Sequence, residues 1–150
     1  MFSGNLSLLQ LDADQHSKEI SRKNITLNLS FPDHLLIDCY PGQLNQAILN
    51  VLINAVYAVE IGGHISLTVT EAEKNISISV KDDGCGIQEE IKDRIFEPFY
   101  TTKPVGSGTG LGLSITYKII ARFKKSNRCG RLFFRYFNRR FRYDTQRDTT

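Results

Sequence analysis

The sequence contains no tryptophan, one methionine and three cysteines among 150 residues. Cys39, Cys85 and Cys129 are too few for a disulfide framework, and no two of them have the spacing of metal ligands. No apolar run approaches the roughly 18 to 20 residues that cross a bilayer, and the N-terminus lacks the basic start and sustained apolar stretch of a secretory signal. These absences predict a reduced, cytoplasmic protein without a transmembrane segment.

The remaining composition, with 41% hydrophobic and 23% charged residues, is typical of one soluble globular domain. Charge is unevenly distributed along the chain. Ten basic and two acidic side chains give residues 121–150 a formal charge of +8, whereas the whole chain carries +3, so residues 1–120 carry −5. The chain therefore divides into a mildly acidic body and a strongly basic tail.

Hydrophobic periodicity predicts an α+β fold. Period-two alternation indicates strands at 24–30, 34–40, 65–69 and 76–80, the first two pairing with each other and the last two forming a hairpin. A helical period indicates helices at 43–59 and around 115–120, after a lead-in segment at 1–22. This order predicts a two-layer α/β sandwich, in which helices pack on one face of a mixed, mostly antiparallel sheet.

The long predicted helix carries a polar stripe that core packing does not explain. Gln43, Asn50 and Asn54 are spaced seven and four residues apart, so they lie on one side of the helix. Such amides either face solvent or cap neighbouring strands, or they line a cleft. In a cleft, an amide oxygen is a suitable ligand for a hard cation such as Mg²⁺.

Two glycine-containing motifs follow the predicted hairpin. The segment 82–87, DDGCGI, begins where a strand ends, and its glycines allow close approach to a flat ligand while a carboxylate accepts a hydrogen bond from an amine. The segment 106–113, GSGTGLGL, runs directly into a helix, whose N-terminus favours an anion. Each motif alone is also a common turn, and neither is a Walker A loop or a dinucleotide fingerprint.

Taken together and in order, the runs NQAILNVLINAVYAV, DDGCGI, FEPFYTTK and GTGLGLSI resemble four sequence boxes of one family. These are the N, G1, F and G2 boxes of the catalytic, ATP-binding domain of two-component sensor histidine kinases. The resemblance covers roughly residues 22–120. It implies the Bergerat-type ATP-binding fold of the gyrase, Hsp90, histidine kinase and MutL superfamily, with ATP and Mg²⁺ as cofactors.

The resemblance also implies roles for individual residues. Asn54 would ligate Mg²⁺, with Asn50 near the metal and phosphates, and Asp82 would accept the adenine amino group. Residues 88–107 would form a mobile lid anchored by two phenylalanines, and Lys103 would act beside Asn50 and Asn54 as a catalytic residue that reaches phosphate. The remaining implied nucleotide-binding residues are Gly84, Gly86, Ile87, Phe96, Phe99, Thr101, Thr102, Gly108, Thr109, Gly110, Leu111, Gly112 and Leu113.

One position favours phosphotransfer over hydrolysis. Superfamily members that hydrolyse ATP carry a glutamate one turn before the metal asparagine, whereas Asn50 cannot accept a proton. We therefore expect transfer of the γ-phosphate to a histidine on a separate dimerisation domain, in a pathway that ends at a response regulator. Two alternatives remain open: a stand-alone serine/threonine kinase of the anti-sigma-factor type, and a degenerate nucleotide-binding or interaction module without catalysis.

The chain departs from the family in its histidines. None of His16, His34 and His64 has the sequence context of a phosphoacceptor. We therefore expect a catalytic domain without its acceptor, monomeric in isolation, with no specific nucleic acid partner. It would be cytoplasmic, either alone or as the cytosolic part of a membrane-bound sensor.

The second departure is the tail, residues 121–150, which follows the predicted catalytic domain at 1–120. It lacks the G-x-G-T-x-F segment and the last core strand of the family. One interpretation is a basic amphipathic helix suited to an acidic partner, a membrane surface or RNA. The interpretation we favour is a frameshift or gene-model error near Ala121, which would leave the fold without its last strand or strands.

Overall fold

The computed structural model describes residues 2–3, 16–33, 36–37, 41–72, 75–104, 106, 108–126, 131–137 and 142–144. Its strands are β1 (Phe2–Ser3), β2 (Thr26–Ser30), β3 (Leu36–Ile37), β4 (His64–Ala72), β5 (Asn75–Asp82), β6 (Arg131–Phe137) and β7 (Arg142–Asp144). Its α-helices are α1 (His16–Arg22), α2 (Pro41–Ala58) and α3 (Gly112–Ser126), and a short 3₁₀ helix spans Glu89–Ile91. No helix in these described ranges is both long and apolar enough to cross a membrane.

The main sheet has five strands in the order β2-β4-β5-β6-β7. The pairs β4–β5 and β6–β7 are antiparallel, whereas β2–β4 and β5–β6 are parallel. A helix connects each parallel pair, α2 in the first and α3 in the second, because parallel neighbours need a long crossover. The predicted α+β sandwich with a mixed sheet is confirmed, although half of the described pairs in this sheet are parallel.

The hydrophobic core lies between the helices and one face of this sheet. The register pairs Leu67 with Val80 and Val69 with Ile78, so the alternate residues of β4 and β5 share the buried face. The same alternation places Asp82, paired with Ile65, on that face with 3% exposure. On the helix side, α2 buries Leu44, Ala47, Ile48, Val51, Leu52, Ala55 and Val56. Burial of each large aliphatic side chain contributes about 1.5 to 3 kcal/mol.

The C-terminal end of α2 is capped by a lysine that precedes β2. The last carbonyl groups of a helix have no partner within the helix. Lys23 Nζ donates hydrogen bonds to the backbone oxygens of Val56 and Val59, both at 3.0 Å. A positive charge at this end of the helix is also favoured by the helix dipole.

The predicted pairing of the first two strands is wrong. β3 pairs with β1 in a separate two-stranded antiparallel sheet, with Ile37 opposite Phe2 and Leu36 opposite Ser3. β2 instead pairs with β4, because α2 provides the crossover that a parallel neighbour requires. The remaining residues of the predicted second strand lie outside the described ranges.

Residues 131–137 and 142–144 of the tail form strands, whereas one of the two interpretations of the sequence predicts a helix. α3 continues through Ala121 to Ser126, and β6 then runs parallel to β5. Leu132, Phe134 and Tyr136 recur with the period of a strand and pair with the buried residues Ile76, Ile78 and Val80. The predicted amphipathic helix is therefore wrong for residues 131–137, and so is the expectation that the sheet lacks its final strands.

Candidate functional site

One side of α2 contacts three separate segments of the chain. Asn50, Asn54 and Ala58 are spaced four residues apart, so they share this side over about 12 Å of helix. Asn50 contacts the start of α3, Asn54 contacts the segment after the 3₁₀ helix, and Ala58 contacts the loop after β5. Two of the three amides in the predicted polar stripe, Asn50 and Asn54, therefore face other parts of the fold.

The loop after β5 folds tightly around a buried carboxylate. Asp82 Oδ1 accepts a hydrogen bond from the Gly84 N–H at 2.8 Å, and the Cys85 N–H donates to the Ala58 oxygen at 3.1 Å. A Cβ on Gly84 would lie 2.5 Å from that same oxygen, so the close approach to α2 requires glycine. Gly86 and Ile87 are half-buried, and Ile87 packs against the core. The Asp82 carboxylate is therefore held at the base of a loop in which two of the residues, Gly84 and Gly86, are glycines.

A second acidic residue ties this loop to β4. Asp83 Oδ1 accepts a hydrogen bond from the His64 N–H at 2.9 Å, and Asp83 Oδ2 lies 3.0 Å from His64 Nδ1. The hydrogen bond from the His64 backbone, followed by the interaction with its ring, holds the pKa of the Asp83 carboxyl below its usual value. Asp83 was not among the predicted site residues.

The N-terminus of α3 lies beside Asn50. Asn50 Nδ2 donates to the Gly112 oxygen at 3.1 Å, and the buried Thr116 hydroxyl also donates to this oxygen at 2.9 Å. The first turn of α3 contains no acidic residue. Because a helix N-terminus carries unpaired N–H groups and the positive end of the dipole, this end of the site favours an anion.

The glycine loop before α3 is packed backbone against backbone. The Phe99 N–H donates to the Gly110 oxygen at 2.9 Å, and Gly110 has a φ of 68°. A Cβ on Gly110 would lie 2.4 Å from the Phe99 carbonyl carbon. Both the dihedral angle and the close approach therefore require glycine.

The two phenylalanines expected to anchor the lid have different positions. Phe96 is half-buried against the core, with its ring 5.6 Å from that of Tyr117. Phe99 is 75% exposed and has a left-handed φ of 67°. The expectation that the Phe99 side chain anchors the lid is therefore wrong in this structure, because its backbone rather than its ring makes the contact with Gly110.

Lys103 reaches α2 from the lid. Its Nζ lies 3.4 Å from Asn54 Oδ1 and 4.1 Å from the centroid of the Tyr57 ring. Burial lowers the pKa of the Lys103 ammonium. Tyr57 was missed in the sequence, although its position three residues after Asn54, one helical turn away, is a signal for shared surface.

The remaining predicted residues surround these contacts. Thr101 Oγ1 accepts the Lys103 N–H at 3.1 Å, and Thr109 Oγ1 accepts the Leu111 N–H at 3.3 Å. A Cβ on Gly108 would lie 2.9 Å from Lys103 Cδ, so the glycine loop packs on the lysine side chain. Thr102 is exposed, and Leu113 packs against the core.

The possible metal ligands at this site are few, and they suit a metal ion that is bound mainly by phosphate and water. The described residues contain no group of three or more His, Cys, Asp or Glu side chains that could hold a metal ion. Asn54 Oδ1 already faces a cation, the ammonium of Lys103. A single amide oxygen suits Mg²⁺ that takes the rest of its ligands from phosphate and water.

Comparison with known proteins gives consistent matches. A family model described as histidine kinase-, DNA gyrase B-, and HSP90-like ATPase matches residues 39–141, which extends beyond the predicted domain end at residue 120. Sporulation kinase E of Bacillus subtilis (strain 168) is 39% identical over 109 residues, 71% of this chain and 14% of that protein. Sensor histidine kinase ZraS of Escherichia coli (strain K12) is 39% identical over 116 residues, 77% of this chain and 24% of that protein.

Solved structures show the same relationship. The catalytic domain of histidine kinase ThkA has a TM-score of 0.66 at 32% identity, covering 81% of this chain and 80% of that one. The chain spans less than a quarter of the length of the two curated relatives.

Proposed function

Because the chain belongs to the histidine kinase-, DNA gyrase B-, and HSP90-like ATPase family, we propose that it binds ATP with Mg²⁺ and donates the γ-phosphate to a histidine. The observation that carries this proposal is the side of α2 that joins the Asp82 loop at one end to the α3 N-terminus at the other. A nucleoside triphosphate has two corresponding ends, a base that would lie at the Asp82 loop and an anionic phosphate chain that would lie at the α3 N-terminus.

The adenine end of this assignment rests on Asp82. Its carboxylate is buried on the core face of the sheet and is fixed by the Gly84 N–H. A carboxylate is an acceptor for the exocyclic amino group of adenine, and a buried charged acceptor discriminates strongly among ligands. Gly84 and Gly86 carry no side chain, so a flat base could approach the backbone of this loop closely.

The phosphate end combines three features. The N-terminus of α3 favours anions, Lys103 provides a cation, and Asn54 provides the amide oxygen for Mg²⁺. When bound, Mg²⁺ neutralises developing charge on the phosphates. Asn50 orients the start of α3 through its hydrogen bond to Gly112 and has no basic group with which to activate water.

Phosphotransfer therefore suits this site better than hydrolysis. The acceptor would be a histidine on a separate dimerisation domain, with a response regulator as the later recipient. We place the domain in the cytoplasm and expect the isolated chain to be monomeric.

A direct test is transfer of labelled γ-phosphate from Mg·ATP to a supplied phosphoacceptor domain from a sensor histidine kinase. We expect acid-labile label on the acceptor, strong reduction in Asn54→Ala, and wild-type labelling in Asn28→Ala, which alters an exposed asparagine of β2. Acid-stable label would indicate a serine or threonine acceptor. Binding of ATP without labelling of any acceptor would indicate a degenerate nucleotide-binding module.

The origin of the tail stays a separate proposal. We propose that a frameshift or gene-model error near Ala121 produced residues 121–150, because the formal charge changes from −5 over residues 1–120 to +8 over residues 121–150 and no G-x-G-T-x-F segment follows. Resequencing the gene across codons 118 to 125 tests this. An intact alternative frame that encodes G-x-G-T-x-F would support the proposal, and its absence would show that β6 and β7 belong to the native chain.

A further inference from the structure

The Lys103 ammonium is held by neutral groups. Among the ion pairs within the described residues, none includes Lys103, whereas Lys92 in the same lid pairs with Glu89. Lys103 is half-buried and contacts an amide oxygen and an aromatic ring. Its charge is therefore compensated by dipoles, and an anion that reached it would be attracted strongly.

Two side chains on consecutive turns of α2 surround this ammonium. Asn54 and Tyr57 are three residues apart, so both face Lys103 Nζ, at 3.4 Å from Asn54 Oδ1 and 4.1 Å from the Tyr57 ring centroid. An aromatic face within about 6 Å attracts a cation through its quadrupole. The Asn54 amide oxygen and the Tyr57 ring therefore form a binding site for a single cation on the surface of α2.

We propose that Tyr57 is a positioning residue that keeps the Lys103 ammonium on the Asn54 oxygen and so fastens the lid to α2. A nucleotide that carries a divalent cation replaces the ammonium at this oxygen and releases Lys103 toward the phosphates. The identity of that nucleotide rests on the proposed function. The fastening itself is a property of the nucleotide-free chain.

The contacts of Lys103 extend the effect to the rest of the lid. Its N–H is bonded to Thr101 Oγ1, and Gly108 packs on its side chain. Phe99, on the other side of this turn, is bonded through its N–H to Gly110. Loss of the Lys103 contact to α2 therefore loosens the lid turn and the glycine loop together.

Residue-specific amide exchange of the nucleotide-free chain, measured by NMR, tests this directly. In Tyr57→Leu, which removes the aromatic face, we expect the Lys103 and Phe99 amides to exchange about two- to fivefold faster than in wild type. Tyr57→Phe keeps the face and should match wild type. Lys103→Gln should accelerate exchange at least as much as Tyr57→Leu, whereas Lys92→Gln, the matched loss of charge, should not.

Tyr57 is 46% exposed, so both replacements are compatible with the fold. Wild-type exchange in Tyr57→Leu, or equal acceleration in Tyr57→Phe and Tyr57→Leu, would overturn the proposal. A second measurement adds a non-hydrolysable ATP analogue with and without Mg²⁺. We expect the Lys103 amide resonance to shift far more with Mg²⁺, and equal shifts would contradict displacement by the cation.

The ATP-binding function and the positioning role of Tyr57 can be refuted independently of each other. If the analogue binds to no variant but the nucleotide-free exchange rates differ as expected, Tyr57 positions Lys103 and the ATP-binding function is wrong. If the analogue binds but the exchange rates of Tyr57→Leu and wild type are equal, the function stands and the role of Tyr57 is wrong.

Discussion

The floor of the site, formed by α2 and the loop 82–87, differs in its contacts from the described part of the lid and glycine loop, residues 88–104, 106 and 108–112. The floor is fixed by buried contacts, with Asp82 at 3% exposure and Gly84 pressed against the Ala58 oxygen. The first part of the lid is fixed by Ile95, which is buried in the core, and by Ile91 and Phe96, which pack against it. The described residues from Phe99 onward are held by contacts nearer the surface, and the Phe99 ring is 75% exposed.

This difference in contacts predicts that the two regions differ in the free energy of local opening. Regions with few buried apolar contacts open locally at a small free-energy cost, whereas a buried core opens only with global unfolding. The proposed nucleotide would therefore meet a fixed floor and a lid that can open locally. Substitutions in the floor should change the free energy of global unfolding, and those in the lid should change local opening and binding.

The largest effect on stability is expected for Gly84→Ala. The added Cβ would meet the Ala58 oxygen at 2.5 Å and the Ala58 carbonyl carbon at 2.7 Å, and neither backbone atom can move freely. We expect the free energy of unfolding to fall by about 2 to 3 kcal/mol, as in other overpacked sites. Urea denaturation followed by circular dichroism measures this change.

Gly42→Ala is the matched control for that substitution. Nothing lies within 4 Å of a Cβ at Gly42, which is in the first turn of α2. Its stability should be unchanged or raised by up to about 1 kcal/mol. If Gly84→Ala and Gly42→Ala were equally stable, the floor would not be the rigid half of the site.

A smaller effect is expected when the cap of α2 is removed. Lys23→Met keeps the apolar part of the side chain but leaves the Val56 and Val59 oxygens without the ammonium. We expect a loss of about 1 to 2 kcal/mol in unfolding free energy. Lys18→Met, an exposed lysine of α1, provides the comparison, and an equal loss in both variants would refute the capping role.

In the glycine loop, Gly110→Ala should separate local opening from global stability. Its Cβ would meet the Phe99 backbone at 2.4 Å, and its φ of 68° disfavours alanine. Because this region can open locally, we expect global stability to fall by less than about 1 kcal/mol. The Phe99 amide should lose its protection from exchange, and a global loss as large as that of Gly84→Ala would break the distinction between the two halves.

The smallest effect concerns the pH dependence contributed by Asp83. Its pKa is lowered in the folded state by hydrogen bonds from His64, so its contribution is fully present above the usual pKa of 3.8 and is lost as pH falls through the lower folded value. The side chain is 40% exposed, so screening limits this contribution to about 0.2 to 0.5 kcal/mol. Asp83→Asn should be less stable than wild type at pH 7 by this amount.

Unfolding curves of wild type and Asp83→Asn at pH 7 and below pH 3 check that sign. The difference between the two proteins should disappear at the lower pH. A difference that grew as pH fell would contradict the interaction with His64.

The floor was largely predictable because short-range periodicity specifies it. The helical pattern predicted α2, and the spacing of Asn50 and Asn54 placed both on one side of it. The alternation of Ile76, Ile78 and Val80 also continues to Asp82, so the burial of this carboxylate follows from the strand period. The pairing of Lys103 with Tyr57 joins residues 46 positions apart and has no comparable local signal.

The errors at the edges of the sheet have a related cause. The segment around Leu36 and the segment 131–137 both have patterns compatible with a strand, but periodicity does not specify the partner of a strand. β3 pairs with β1 rather than β2, and β6 pairs with β5 through the crossover formed by α3. The basic tail is compatible with an amphipathic helix, and its lack of a G-x-G-T-x-F segment favours a frameshift, so neither interpretation predicts the strand at residues 131–137.

The central claim is that Asp82 recognises the base at the end of a nucleotide site built along α2. Isothermal titration of the chain with a non-hydrolysable ATP analogue in Mg²⁺, comparing wild type with Asp82→Asn and with the exposed control Asp33→Asn, tests it most directly. We predict saturable binding by wild type and Asp33→Asn, and affinity reduced by about 10- to 100-fold in Asp82→Asn. Equal affinity in all three folded proteins, or no binding by wild type, would contradict the claim.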